Sequence, residues 1–520
     1  MDYEFPKNFD IIIVGTGVIE SILSAAASRV GKKVLQIDKN DYYGGQWASF
    51  NLDAFTKIGN ISGAEKNPDE TSQNQDMLSF GNQMFNIENF KIEWHIPDKL
   101  TPISSEDKNE KGSDVELDSS EDWCQENLLK EARKFNLDLS PKLQYARGKF
   151  VDLLISSNVA RYSEYRSVSR ILIWYNGQLE AVPCSRSDVF SNTKVTVVEK
   201  RILMKLLTSL NEAEEEVKQY ENKTFKDFLS DKGLTPNLIH YVLYAISMSS
   251  DETPCYQGVE NAKRFLNSIG RFGKTPFLFS MYGSGEITQA FCRLSAVFGG
   301  TFALSQPLSG FITSDDKFKS LVVGTQHIEA DYLVMGIEKA PEKFVNSIKK
   351  EYISRGVFIT DRSIMKSEKE HLTLLFYPPE KNKSTVTLIE MGSLTGTCPK
   401  KLFVVHLISK QNTSPEEDFK HVIENLFVFH NQKESLEVDQ KPVVLWSSYF
   451  SLSDTSNCNL RVGVPENVFL CPGPDLDLDY DMSVDKAKEI FRQIYPDLEF
   501  LPRAPDPEEI IIEGEDNTQE

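Results

Sequence analysis

Apolar residues fall along this chain in two rhythms, continuous β-branched runs and spaced helical stripes, and the first run organises the rest. Residues 10–14 form a run of the kind that makes a parallel strand buried on both faces. Gly15-Thr16-Gly17 then predicts a tight turn, 19–30 a helix, and 33–37 a second strand ending at Asp38. This is a βαβ unit of dinucleotide-binding type, in which an acidic residue about twenty positions after the turn meets a ribose hydroxyl. The fingerprint departs at Glu20, where a third small residue would let helix and strand pack closely. A carboxylate there suits the helix dipole but opposes a pyrophosphate seeking the same N–H groups. The pattern therefore predicts the fold and argues against the cofactor.

Further along, 59–122 is rich in Glu, Asp, Asn, Ser and Lys and predicts a largely disordered acidic insertion, with 80–96 aromatic enough to touch the fold. Apolar positions in 142–158 mark packed surface around Gly148. A hairpin follows, 170–174 and 179–182 flanking the turn pair Asn176-Gly177. From 183 to 270 the pattern is helical. Thr196 and Glu199 form a capping box ahead of apolar residues at 202–210, another helix starts at 224–229, and 236–248 is apolar on almost every face. Residues 276–283 return to strand, 285–298 to helix, and Gly299-Gly300 ends it. Short β-runs at 320–324, 332–335, 373–376, 386–389 and 403–408 predict more sheet in the same large domain. Finally, 467–475 predicts a strand and turn before a helix at 484–494. In flavin oxidases of this layout that turn closes over the cofactor phosphate. Here it carries Asp475, Asp477, Asp479 and Asp481, which predicts four like charges at a phosphate position.

Composition narrows the function. With 520 residues, 40% of them hydrophobic, the chain is long enough for two domains, one of them interrupted in sequence. A net charge of −20 argues against nucleic acid and against a polybasic membrane surface, and favours partners with basic surface. Seven scattered cysteines without CxxC spacing predict reduced thiols, with neither a disulfide framework nor a metal site. The acidic start, the lack of a run of membrane-spanning length and the C-terminal DNTQE predict a cytosolic chain without signal peptide or prenylation box.

An ordered set of motifs then carries a resemblance. It comprises Gly15-Thr16-Gly17 through Tyr42-Tyr43-Gly44-Gly45, Leu139-Ser140-Pro141 through Gly148, Pro183-Cys184-Ser185-Arg186 with Asp188-Val189-Phe190, and Val198-Glu199-Lys200-Arg201. Thr275-Pro276-Phe277-Leu278-Phe279 through Phe298-Gly299-Gly300, and Ile359-Thr360-Asp361-Arg362-Ser363, complete it. The chain resembles the family of Rab escort proteins and Rab GDP-dissociation inhibitors, and within it the escort branch. The resemblance covers nearly everything outside the acidic insertion.

It implies an α/β fold: a large flavin-oxidase-like, multi-sheet domain built discontinuously, plus a smaller all-helical domain. The expected divisions are 1–58, the insertion 59–122, 123–182, a helical domain 183–272 with lipid and transferase contacts, 273–500, and an acidic tail 501–520. The implied activity is carriage rather than catalysis, with no catalytic residue, cofactor or metal. The degenerate nucleotide turn is Gly15, Gly17, Glu20 and Asp38. Such proteins bind GDP-bound Rab GTPases, present them to the α/β heterodimer of Rab geranylgeranyl transferase, shield the geranylgeranyl lipid, and touch membranes transiently during delivery.

The family's Rab platform matches Tyr43, Glu286, Arg293 and Thr301, and its transferase contact matches Phe190 and Arg201. Glu286 and Arg293, seven apart, share one helix face. Without the resemblance, Phe190 reads as core and Arg201 as a solvated helix charge; the lesser alternative for Glu286 is to cap its helix and for Arg293 to pair internally. Arg147 departs from the Ala-Asn-Gly that the inhibitors resemble at this loop. The competing readings are a pure dissociation inhibitor, separated by Phe190 and Arg201, and an active FAD-dependent oxidase, opposed by Glu20 and the aspartate cluster.

Overall fold

The computed structural model describes residues 4–61, 77–81, 87–99, 123–184, 196–210, 214–346, 348–349, 351–380, 383–429 and 441–503. Phe190, the tail 504–520 and much of the acidic insertion lie outside them.

The expected βαβ unit opens the chain as β1 (Asn8–Val14), α1 (Val18–Arg29) and β2 (Val34–Ile37). Residues 11–14 are fully buried and pair in parallel with β2 on one side. On the other side they pair with the long strand Gln326–Gly336, so the run needs no polar alternation. The eight-stranded sheet around this unit orders Thr301–Ala303, β2, β1, Gln326–Gly336, Lys317–Val323, Leu308–Ser314 and Met77–Ser79, with Val468–Cys471 also pairing with Gln326–Gly336. Four distant stretches of sequence thus build one sheet.

A nine-stranded, mostly antiparallel sheet forms the second layer. Its longest pairing joins Glu351–Thr360 and Val443–Asp454. Neither strand stands out as an apolar run, because Ser354, Arg355, Ser447, Ser448 and Ser451 are buried among their residues. The helix Pro415–Leu426 covers one face with Phe419 and Val422. The predicted hairpin joins the sheet as Arg170–Tyr175 and Gln178–Ala181, with Asn176 and Gly177 both at positive φ as a primed turn requires. Of the short β-runs expected as further sheet, 320–324 and 332–335 join the first sheet and the three later ones the second.

The expected insertion boundary also shifts. The helix Leu52–Ile61 crosses residue 58, and strands Met77–Ser79 and Ile87–Trp94 attach the span to both sheets.

Between 197 and 268 the described elements are helical, starting with Val197–Ser209 on the Thr196/Glu199 capping box. Phe225–Asp231 starts on a second box, at Thr224 and Asp227. The run at 236–248 is a short α-helix, Pro236–His240, that widens into a buried π-helix at Tyr241–Ile246, followed by Met248 at φ +45°. These helices share a core with the second sheet, where Phe225, Val242 and Phe265 join Leu374 and Trp446.

The aspartate-rich turn ties these parts together, with Asp475, Asp479 and Asp481 each meeting a cation. The ammonium of Lys142, 2% exposed, donates to the Asp475 carboxylate and to the carbonyls of Asp475 and Asp477. Arg264, on the helix Cys255–Ser268, lies 2.8 Å from Asp479 and 2.6 Å from Asp481, with its guanidinium 4.1 Å over the Tyr145 ring. Asp481 also accepts from the N–H groups of Lys149 and Phe150, each at 2.9 Å, and so caps the helix Lys149–Ser156. A Cβ at Gly148 would stand 3.0 Å from both Asp481 oxygens, so glycine is what admits that carboxylate. Deleting one member of a buried pair strands the other. Lys142→Met is therefore expected to lower stability by roughly 3–5 kcal/mol, read from the denaturant midpoint. Adding Asp475→Asn should recover a large part.

Candidate functional site

The turn after β1 has the shape of a nucleotide site and is filled by protein. Glu20 is buried in the first turn of α1, and a Cβ at Gly17 would stand 2.5 Å from its Oε2. Glu338, just past the end of strand Gln326–Gly336, comes from the opposite side. A Cβ at Gly336 would stand 2.6 Å from Glu20 Oε1 and 2.5 Å from Glu338 Oε2, so the two carboxyls converge on one small space. Gly15, at φ +108°, lies beside both. Where glycines in a working site let a pyrophosphate approach the backbone, these let in two acids.

Burial, then the neighbouring Glu338 charge, pushes the Glu20 carboxyl well above the usual range, and burial also raises Glu338. Two acids this close cannot both ionise freely, so the pair keeps a proton to higher pH than either would alone in water. Asp38 lies beyond the end of β2, where a ribose would be read. Its carboxylate accepts from Asn40 N–H at 3.1 Å and Thr16 Oγ1 at 3.3 Å, and Lys339 Nζ stands 3.0 Å from its Oδ1. That contact is an ion pair by distance without the angle of a hydrogen bond. The ribose-reading carboxylate is thus engaged from within. A dinucleotide does not fit: its diphosphate would need the space of two carboxyls, and its ribose that of Lys339. Sequence reasoning missed Glu338 and Lys339; the available signal was the Gly-x-Glu-Lys that follows the second long parallel strand.

The platform candidates lie at one edge of the first sheet. Helix Gly285–Val297 carries Glu286 half-buried and Arg293 exposed, about 10 Å apart along the axis at 1.5 Å per residue. Glu286 is in the first turn, but the residue capping that turn is Ser284, which makes no side-chain cap bond; burial raises the Glu286 carboxyl. The Arg293 guanidinium stands 4.8 Å over the Tyr162 ring, a support absent from the sequence reading. Tyr43 follows β2 and is half-buried, and its phenol is raised by burial and by Cys292, the residue before Arg293, which places it against the same helix. Thr301 begins the edge strand beside β2, just past the helix end. The helix is fixed from below by α1 through small side chains: Ser24 and Ser28 lie 2.9 and 2.7 Å from Ser295 Oγ, and Ser21 Oγ 3.3 Å from Cys292 Sγ. Small residues let the two helices approach closely while their outer face stays open.

Arg201 is exposed in the second turn of Val197–Ser209, on the same helix as Val197 and Val198, which are 82% and 67% exposed. Exposed β-branched residues beside a guanidinium have the chemistry of an interface. Among the described residues no group of acidic, histidine and cysteine side chains could hold a metal, and no helix is long and apolar enough to cross a membrane.

Against known proteins, the family described as GDP dissociation inhibitor matches residues 1–79, and the one described as RAE1/2 domain I, C-terminal region, matches 353–476. Rab proteins geranylgeranyltransferase component A 2 of Mus musculus is 33% identical over 99% of this chain and 100% of its own length. The chain belongs to the component A family of Rab geranylgeranyltransferase. Solved structures agree on the fold. A Rab GDI from Plasmodium falciparum superposes with a TM-score of 0.66 at 19% identity, covering 95% of this chain and 100% of its own. An oxidoreductase from Methanosarcina mazei reaches 0.53 at 11%, covering 93% and 100%. The component A chain thus has the architecture shared by Rab GDI and that oxidoreductase, with the nucleotide turn occupied by Glu20 and Glu338.

Because the folded state holds a proton that the unfolded chain has released, this pair stabilises most below the unfolded carboxylate pKa of about 4.3, and that contribution is lost as pH rises toward the folded pKa. Glu20→Gln cannot ionise. Its melting temperature relative to the parent should therefore climb as pH rises above the unfolded carboxylate value of about 4.3. A difference that stays flat with pH would contradict a proton-sharing pair.

Proposed function

We propose that this chain is a non-catalytic Rab escort protein: it binds GDP-bound Rab GTPases, presents them to the transferase heterodimer, shields the attached geranylgeranyl groups and carries the product to membranes. The observation that carries this reading is the full-length similarity to a component A protein, joined to a nucleotide turn filled by the chain's own carboxyls. Carriage has a physical need behind it, since each exposed CH₂ of a prenyl chain costs about 0.8 kcal/mol in water. The match of 353–476 to the RAE1/2 family favours escort over recycling alone.

Tyr43, Glu286, Arg293 and Thr301 are proposed to meet the Rab. An exposed guanidinium held over Tyr162 is partly ordered before binding, which lowers the cost of docking it. Phe190 and Arg201 are proposed to meet the transferase, with Val197 and Val198 adding apolar contact. The helices of 197–268, whose inner faces are almost wholly apolar, are proposed to take part in holding the lipid.

Arg293→Ala should weaken binding of an unlipidated, GDP-bound Rab by about 1.5–3 kcal/mol, the scale of a charge-assisted interface contact, with the melting temperature unchanged. Unchanged affinity with a lowered melting temperature would instead make Arg293 a structural partner of Tyr162. Arg201→Ala and Phe190→Ala should each reduce transferase binding at least about tenfold, roughly 1.4 kcal/mol, and leave Rab binding intact. Parallel titrations against the two partners separate these outcomes. The purified protein should also be colourless; a stoichiometric flavin absorption band would overturn the reading of the filled turn.

A further inference from the structure

The helix Val197–Ser209 carries Arg201, Val197 and Val198 on its first two turns, yet no residue from Thr196 to Ile202 is buried; burial begins at Leu203 and recurs at Leu206. A first turn with so little packing frays, because its leading N–H groups have no partners within the helix. The capping box answers part of that. Thr196 N–H and Oγ1 each donate to Glu199 Oε2 at 2.9 Å, and Glu199 N–H donates to Thr196 Oγ1 at 3.3 Å. These bonds close the turn on itself without fixing where it sits on the body of the protein.

The other oxygen of the same carboxylate does that. Thr235 Oγ1 donates to Glu199 Oε1 at 2.6 Å, a short, charge-assisted bond between residues 36 apart in sequence. The bond from Thr235, then those from Thr196, holds the Glu199 carboxyl below the usual range. Thr235 is itself a firm post. Its φ of −70° and ψ of 157° suit the residue ahead of Pro236, and Leu234 and Leu238 beside it are buried. Its hydroxyl is used twice, giving its proton to Glu199 and accepting from Leu238 N–H at 3.4 Å as the cap of Pro236–His240. His240, ending that helix, sets Nε2 3.0 Å from the Trp174 carbonyl in strand Arg170–Tyr175 and so ties the post to the second sheet.

We propose that Glu199 is a positioning residue for transferase docking: bridged to Thr235, it pins the turn that presents Val197, Val198 and Arg201. This rests on the reading that the helix faces the transferase, and adds what holds that face in place. Side chains on a turn fixed before the partner arrives lose less freedom on docking. Glu199 acts through the helix it fixes, and the Rab platform, carried on another helix, draws nothing from it.

Thr235→Asp separates bridging from capping, since it keeps a cap acceptor for Leu238 N–H and sets a like charge against Glu199. Its affinity for the purified transferase heterodimer, titrated beside the parent chain, should fall at least about fivefold, with affinity for a GDP-bound Rab within about twofold. Adding Glu199→Gln, whose amide donates to the introduced carboxylate, should recover most of the loss; a helix that had merely come loose would not be rescued this way. Parent-like transferase binding by Thr235→Asp, equal loss toward Rab and transferase, or no recovery in the double variant each overturn the proposal. Arg201→Ala tells this failure from that of the underlying reading. If it weakens transferase binding and Thr235→Asp does not, the face stands and the bridge is overturned; if neither weakens it, the face is misassigned and the bridge falls with it.

Discussion

Two carboxyl groups, Glu20 and Glu338, meet in the space beside Gly15, Gly17 and Gly336, and much of the first sheet is arranged around them. They follow the ends of the two neighbouring parallel strands at the sheet's centre, so the pair closes the turn from both sides. Asp38 and Lys339 repeat the arrangement one step outward as an ion pair. A pocket that a diphosphate would prop open is instead filled at fixed length by side chains. Burial of acids is costly unless they keep a proton or gain a partner, and this site uses both routes. With the turn closed, α1 is a rigid floor, and its serines hold the helix that bears Glu286 and Arg293.

The βαβ unit, the hairpin, the capped helices and the helix Gly285–Val297 were legible because each is governed by local chemistry: β-branched runs, an Asn-Gly turn, capping boxes. The longest strand pair of the second sheet was not. Glu351–Thr360 and Val443–Asp454 bury serines and an arginine, and what satisfies them comes from far along the chain: Arg355 donates through Nε to the Leu139 carbonyl at 3.0 Å and lies 3.2 Å from His406 Nδ1. Burial pulls that guanidinium down to about 9 and pushes Asp138, bonded to Ser49 and Ser284, up to about 6. Periodicity carries no trace of such pairings.

The same limit explains the aspartate turn. Asp475 to Asp481 reads as mutual repulsion only while Lys142 and Arg264 stay distant in sequence. In the fold Lys142 meets Asp475 and Arg264 meets Asp479 and Asp481, and the cluster becomes the junction of the helical region, the capped helix at Lys149 and the final helix Asp481–Ile494. Glu20 is visible in the sequence as a carboxylate at the nucleotide turn, but its partner Glu338 lies over three hundred residues away. For the platform, resemblance supplied the residues, and the structure adds how Arg293 is held, by Tyr162.

The central claim is that a flavin-type fold has become a carrier acting in Rab prenylation. It is tested most directly by the rate at which a purified transferase heterodimer attaches geranylgeranyl to a GDP-bound Rab, measured as this chain is titrated in. The account predicts negligible transfer without the chain and a saturable rise that levels near one chain per Rab. A rate that ignores the chain's concentration would contradict it.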